Sequence, residues 1–585
     1  MITFYPIDSK LLNLVEEILM VMAHFRSILV VFGTLMSFVT WAKVFPQYPK
    51  DLSAPLEIPL NLAGSFGELR KNHYHAGWDL KTDERIGLKV LSIADGEIVR
   101  VKVSPEGYGC AIYVAHDQWQ ITSVYAHLSE FKSEVAQWVR NQQYQLKQFA
   151  VDLVPPKGMF TVKRQEVLGL SGNSGSSAGP HLHFEIRNAI TEHPIDPHLL
   201  GYQLADITRP VIQRMWLIPQ EKGETPLSLD FNFGGEAFGK DSLYEVSAVF
   251  GVGIEVYDYV LSADNQCGIQ HMITLLDGNI ISEWQIDSID FARTHHVNSH
   301  LWRHPKLKGT QFHRGYLPAG APEDHFLYTD KRGIVSIKDT LVHAITVMVT
   351  DFTGNATCVY AYVQNREEVK HQQSNGTVVN WDKGDTLSGR KVDIRIPAGA
   401  LYENSVVEWE EGQALFRGDS VYFAGWTSQD VIWADKPTWH LHTTEGLKEK
   451  MGWYHEVTGD WKKIDSMGNA RIKWPGRNYL VVDTLPPVVT KKDNASLPKE
   501  FSRQYSAFYA AINDELSGIN RVEAWVEGQW VLLGLDAKNK LIYLDPQYVF
   551  NKPSFQLEVI AEDQMGNRSI TVFEVAQPTL KKSPK

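Results

Sequence analysis

The chain has 585 residues and a formal net charge of -12, with 43% hydrophobic and 22% charged residues. A chain of this length holds about three to five domains, each large enough to bury its own core. The acidic balance and the lack of a basic tract argue against a nucleic-acid partner, and three scattered cysteines, Cys110, Cys267 and Cys358, leave no Cys-x-x-Cys metal cage.

In chain order, residues 1–42 read as a signal peptide or amino-terminal anchor. Ser27 to Ala42 is mostly apolar, follows His24 and Arg26, and ends Thr40-Trp41-Ala42, with small residues where cleavage needs them. The run is shorter than the roughly twenty residues of a membrane-spanning helix. Cleavage is therefore expected, and membrane attachment only if the segment stays. Met1 to Leu19 sets Asp8, Glu16 and Glu17 against Lys10, a poor n-region, which suggests Met20 or Met22 as the true start. The expected destination is the periplasm or cell envelope, or the medium beyond.

Residues 43–205 form the next expected domain. Asn72-His73-Tyr74-His75-Ala76-Gly77-Trp78-Asp79 sets His75 and Asp79 four positions apart, with His73 an alternative to His75. Short β-type runs follow at Val90–Ala94, Ala111–Val114 and Ile121–Tyr125, separated by turn residues, which predicts a mostly antiparallel sheet. Between Phe131 and Leu153, Val135, Trp138, Val139, Leu146 and Phe149 recur at helical spacing and predict a helical insertion. Scaffold packing is its simpler role, lining a cleft the other. A Gly/Ser-rich loop from Gly169 to Gly179 then delivers Pro180-His181-Leu182-His183-Phe184-Glu185-Ile186-Arg187. In a strand His181 and His183 share a face with Glu185 and Arg187, while Leu182, Phe184 and Ile186 face a core. Glu185 is then either a support of the ligand face or a surface carboxylate. Two histidines and one carboxylate suit a catalytic zinc, since three protein ligands leave the fourth tetrahedral position open.

These pieces resemble, in order, the lysostaphin-like zinc endopeptidases that cut the peptide part of bacterial peptidoglycan. The resemblance runs from Phe66-Gly67-Glu68-Leu69-Arg70 into His75-Ala-Gly-Trp-Asp79, then Ala94-Asp95-Gly96-Glu97, Tyr125-Ala126-His127-Leu128, Leu168 to Phe184, and Pro194-Ile195-Asp196-Pro197. It implies one zinc per chain held by His75, Asp79 and His183. It also implies two active-site histidines outside the ligand set: His181, a general base that passes its proton to the leaving amine, and His127, a donor to the tetrahedral oxyanion. All five positions are filled, so the enzyme reading leads. The alternative is a restrained or non-catalytic regulator that binds cell wall through a peptidase-like fold, and a third reading changes only the peptide substrate. His116, His440 and His442 read as structural, because none has a comparable carboxylate motif.

Beyond Leu200 the chain is a series of short strands and turns, the pattern of β-sandwich modules. Two stretches resemble each other. One opens Asp206-Ile-Thr-Arg-Pro210-Val211 and ends Asp351-Phe-Thr-Gly-Asn355; the other opens Asp483-Thr-Leu-Pro-Pro487-Val488 and ends Asp563-Gln-Met-Gly-Asn567. Their final turns resemble the last hairpin of immunoglobulin-like or fibronectin-like domains in exported bacterial proteins. The expected division is 206–366, 367–482 and 483–585, with an Asp465-Ser-Met-Gly-Asn469 turn in the middle module. At most one disulfide is available, with Cys267 and Cys358 the pair considered. The whole is expected to be mainly β: an antiparallel zinc-peptidase sheet with a helical insertion, followed by immunoglobulin-like modules able to contact cell-envelope proteins.

Overall fold

The computed structural model describes residues 52–202, 204, 206–221, 224–260, 265–302, 312–366, 376–428, 431, 433–442, 449–493 and 506–576. The expected signal segment, 1–42, lies outside them. The fold is mainly β: among the described residues the α-helices are Ser133–Leu146 and Val297–His300, and none is long and apolar enough to cross a membrane.

The first unit is built on one antiparallel sheet. Its main strands are β1 (Leu62–Gly64), β2 (Trp78–Lys81), β3 (Gly96–Val103), β4 (Cys110–His116), β5 (Ile121–Leu128), β6 (Val151–Leu153) and β7 (His181–Asn188), in the order β1-β2-β7-β5-β4-β3-β6. The alternation read in β7 holds. Leu182, Phe184 and Ile186 are fully buried in a core with Trp78, Leu80 and Tyr125, while His183 turns to the opposite face.

Helix α1 (Ser133–Leu146) is the expected insertion, and its Val135 and Val139 pack into the same core. Two residues depart from the predicted stripe. Leu146 is 49% exposed, and Phe149 lies past the left-handed C-cap at Lys147. The outer face of α1 makes a docking platform: Arg140 Nε donates to Asp545 Oδ2 at 2.6 Å, Tyr144 OH donates to the same oxygen at 3.2 Å, and the Tyr144 ring meets Trp530 edge-on at 5.5 Å. The helix therefore carries the carboxy-terminal β unit on its back.

Further along, two six-stranded sheets cover residues 211–365, with one parallel pairing between Phe238–Val246 and Ala356–Asn365. Their apolar residues merge with the first unit in a single core running from Leu56 to Val363. Residues 377–482 form sheets of two, four and five strands around a separate core in which Trp426, Trp433, Trp439 and Trp453 meet edge-on or tilted. In the last stretch, two four-stranded sheets share one core.

One expectation is corrected. Cys267 and Cys358 are free, buried thiols on strands of different sheets, so the considered disulfide does not form. The Asp465 turn joins two sheets: the strands on its two sides, Trp461–Lys463 and Asn469–Arg471, belong to different ones.

Candidate metal centre

Strand register brings the site together. In β7 His183 lies opposite Asp79 of β2 on one side and Ala126 of β5 on the other. His75 enters from the loop before β2, which runs so close to β7 that a Cβ at Gly77 would sit 2.3 Å from the Phe184 carbonyl oxygen. That close approach accounts for the glycine between His75 and Asp79. By alternation His127 would follow Tyr125 into the core. A bulge in β5 opposite Cys110 and Ile112 adds one residue, and His127 takes φ = 60°, a left-handed conformation that brings it to the site face beside Ala126.

Three donor atoms converge. His183 Nδ1 and His75 Nε2 lie 2.8 and 3.1 Å from Asp79 Oδ1, and 3.1 Å from each other. All three residues are buried, and together they form a candidate metal site. The remaining ring nitrogens face acceptors: His75 Nδ1 donates to Ser65 O at 2.7 Å, and His183 Nε2 donates to Glu185 Oε1 at 2.8 Å. Each imidazole thus carries its proton on the outer nitrogen and presents a lone pair inward, which fits an N,N,O cation site. His73, the alternative ligand, is exposed, with its Nδ1 on Lys71 O, and lies outside the group.

Support extends outward. Glu185 is fully buried, accepts from Tyr108 OH, and takes Arg187 Nε at 2.6 Å; it supports the ligand face and is no surface group. Its carboxyl is held down at about 2: burial pushes it up, but Arg187 and His183 outweigh that. On the other side Arg70 Nη2 donates to Asp79 Oδ2 at 2.7 Å and to Glu68 Oε2 at 3.1 Å. Burial raises Glu68 to about 7, against the pull of Arg70. Burial also lowers His75 to about 4.

The two other predicted histidines are present. His181 Nδ1 donates to Gly179 O at 2.8 Å, and its Nε2 lies 3.3 Å from Asp79 Oδ1. His127 Nδ1 donates to Ser174 O at 2.8 Å, and its ring centre is 4.8 Å from that of His181 and 5.8 Å from that of His183. Burial, then His183 and His181, lower His127 to about 3. His116 donates and accepts within the scaffold, between Asp95 O and Ser123 Oγ. His440 meets Asn469 and His442 meets Asp393, as structural residues do.

Sequence reasoning named the three residues that converge in the candidate site and weighed Glu185, but missed Ser65, Arg70, Tyr108 and Arg187 as their supports. For Arg187 the signal was the same alternation that placed His183. For Ser65 nothing in the sequence pointed to it, because the contact is through a backbone carbonyl.

Comparison with known proteins agrees with this geometry. Residues 73–144 match the model of Peptidase family M23. An uncharacterized metalloprotease of Haemophilus influenzae is 28% identical over 163 residues, 28% of this chain and 29% of that one. The DD-carboxypeptidase/endopeptidase Mpg of Neisseria meningitidis serogroup B is 28% identical over 135 residues, 23% of this chain and 24% of its own length. The chain thus spans about a quarter of the length of the curated relatives it matches. The catalytic domain of lysostaphin from Staphylococcus simulans aligns over 23% of this chain and 86% of its own, at 25% identity and a TM-score of 0.17. The unit near the amino terminus is therefore an M23 peptidase domain with a His-Asp-His candidate metal site. The β units beyond it carry no family match of their own among these findings.

Proposed function

We propose that the protein is an exported zinc metalloendopeptidase that hydrolyses peptide bonds of bacterial peptidoglycan, in cross-links or stem peptides, with modules divided at 206, 367 and 483. The observation that carries this reading is the convergence of His75 Nε2, Asp79 Oδ1 and His183 Nδ1 beside two further histidines. The name of the Neisseria relative, DD-carboxypeptidase/endopeptidase, supports the substrate class.

Zinc, when bound, supplies Lewis-acid chemistry at the scissile carbonyl and the attacking water. With Nδ1–H committed to Gly179 O, His181 has Nε2 left to take a proton from the attacking water and hand it to the leaving amine. His127 has Nδ1–H on Ser174 O, so it donates through Nε2 only as the imidazolium. Burial opposes that charge, and the negative charge that develops on the carbonyl oxygen favours it. Digestion of purified sacculi by the zinc-loaded chain, read by mass spectrometry, tests the reading. Uncross-linked or trimmed muropeptides are expected with zinc and absent in His183→Ala; intact sacculi despite one bound zinc would sink it.

A second reading, restraint of the site, has one observation in its favour. Lys538 of the last β unit donates to the backbone carbonyls of Asn173 and Ser177, in the loop that delivers His181. If this contact holds the loop shut, Lys538→Ala raises the hydrolysis rate; if it only braces the loop, the rate is unchanged or falls.

A further inference from the structure

The two stretches with matching ends bring together matching acids. Asp206 and Asp483 open them, and Asp351 and Asp563 close the strands before the Gly-Asn turns. A third acid arrives by strand register. Val211 pairs with Tyr257 and Val488 pairs with Asn513, which places Asp258 and Asp514 at equivalent positions, one residue further along. In both units the turn asparagine donates to its own aspartate and to the backbone carbonyl of the opening one, Asn355 at 2.8 and 3.5 Å and Asn567 at 2.7 and 3.0 Å. In each triad the nearest carboxylate oxygens all lie within 4.8 Å of one another.

The triads differ in what satisfies them. In the second, Asp483 Oδ2 accepts from the Ser517 amide at 3.0 Å, and Asp514 Oδ2 accepts from the amides of Leu516 and Gly518 at 3.1 and 2.8 Å. In the first, Asp258 is 1% exposed and neither of its oxygens closes a well-formed hydrogen bond, the adjacent Tyr259 amide acting on it only weakly; Asp206 Oδ2 is likewise buried and unpartnered. Asp351 spends Oδ1 on the amides of Thr353, Gly354 and Asn355, which fixes its orientation toward the other two. Burial, then Asp351 and Asp206, push the Asp258 carboxyl up to about 8.

We propose that Asp206, Asp258 and Asp351 bind a divalent cation of the calcium class, a site separate from the His-Asp-His centre. Unpartnered oxygens of Asp206 and Asp258, beside an Asp351 carboxylate already held in place by its turn, make an all-oxygen set, the preference of a hard cation. Calcium takes six to eight oxygens at about 2.3–2.6 Å in irregular geometry, whereas magnesium keeps several waters and takes one or two carboxylates. The site stands where the chain leaves the peptidase unit. Phe352, next to Asp351, stacks on His198 at 5.6 Å, and His198 meets Trp78 edge-on at 4.7 Å, one residue from Asp79. A cation there ties the first β unit to the wall of the peptidase core. The second triad, with amide donors already in place, has less need of one.

The test uses the full zinc-loaded chain, desalted into calcium-free buffer, with calcium chloride as the probe. Isothermal titration is expected to find one equivalent with Kd on the order of 10⁻⁴ M, as in extracellular calcium modules, and calcium is expected to raise the Tm. Asp258→Asn, nearly isosteric, should abolish both the binding and the Tm rise, yet raise the Tm in calcium-free buffer because it removes an acid that must take up a proton to be buried beside two others; Asp206→Asn should also abolish binding, and Asp514→Asn should leave it intact. No binding by the native chain up to about 10 mM, far above the Kd expected of such modules, would overturn the assignment. So would calcium binding that survives both Asp258→Asn and Asp206→Asn, or magnesium binding as tightly as calcium.

Discussion

Replacing Glu185 by Gln tests whether His183 faces the metal through Nδ1. The carboxylate accepts on both sides: Oε1 takes His183 Nε2–H at 2.8 Å and the Tyr108 hydroxyl, and Oε2 takes Arg187 Nε–H at 2.6 Å. A glutamine has one acceptor end. In either rotamer its amide nitrogen confronts a donor, and buried Arg187 loses its buried ionic partner, keeping only the exposed Glu192 at 3.6 Å. Breaking a buried pair in this way costs about 3 kcal/mol of stability or more. At the metal, a histidine that loses its outer carboxylate binds about 10- to 100-fold more weakly, or about 1.4–2.7 kcal/mol. Competition with a chromophoric zinc chelator reads the affinity, and thermal unfolding of the metal-free chain reads the stability. A variant that is destabilised yet keeps its zinc affinity within two-fold would refute the reasoning, because Nε2 would then not be the supporting nitrogen.

Other consequences can be measured in parallel. His300 and His313 are buried, 3.1 Å apart, and burial holds both below the usual histidine range, His313 at about 3. The unfolded chain therefore binds more protons below about pH 6.5, and stability should drop by about 3 kcal/mol between pH 7.5 and 5.5 for the two together, read as the denaturation midpoint in urea. A flat profile over that interval would show that one of them is already charged in the fold. Trp439→Ala removes a fully buried ring within 5.6 Å of Trp409, Trp426 and Trp453 and should cost about 3–5 kcal/mol, without changing zinc stoichiometry. Asp545→Ala deletes the acceptor of Arg140 and Tyr144, and should speed proteolytic release of the last β unit from α1.

What the sequence made legible follows from how each feature is encoded. The ligand strand was readable because alternation is local: His181, His183, Glu185 and the buried Leu182, Phe184 and Ile186 fall within one strand. The site position of His127 is not readable from periodicity, which sends it to the core; the bulge reverses that, and the resemblance alone marked it. The helical stripe overran at Leu146 and Phe149 because apolar spacing does not record where the left-handed cap at Lys147 ends the helix. Four of the six acids in the two triads lay in visible repeats. Asp258 and Asp514 did not, since strand register alone makes them equivalent.

The core that runs unbroken from Leu56 to Val363 has a consequence for how this chain could be taken apart. Gly268 N–H donates to Ser65 Oγ at 2.9 Å, and Ser65 O in turn orients His75. Ile286 covers Gly67 closely enough that a Cβ there would come within 2.7 Å of it. The metal centre thus borrows rigidity from a neighbour that contributes none of its ligands. The peptidase unit is not an interchangeable cartridge: cut at 205, it would lose the wall behind His75, and grafted onto another scaffold it would need a replacement for that wall before it could hold its metal.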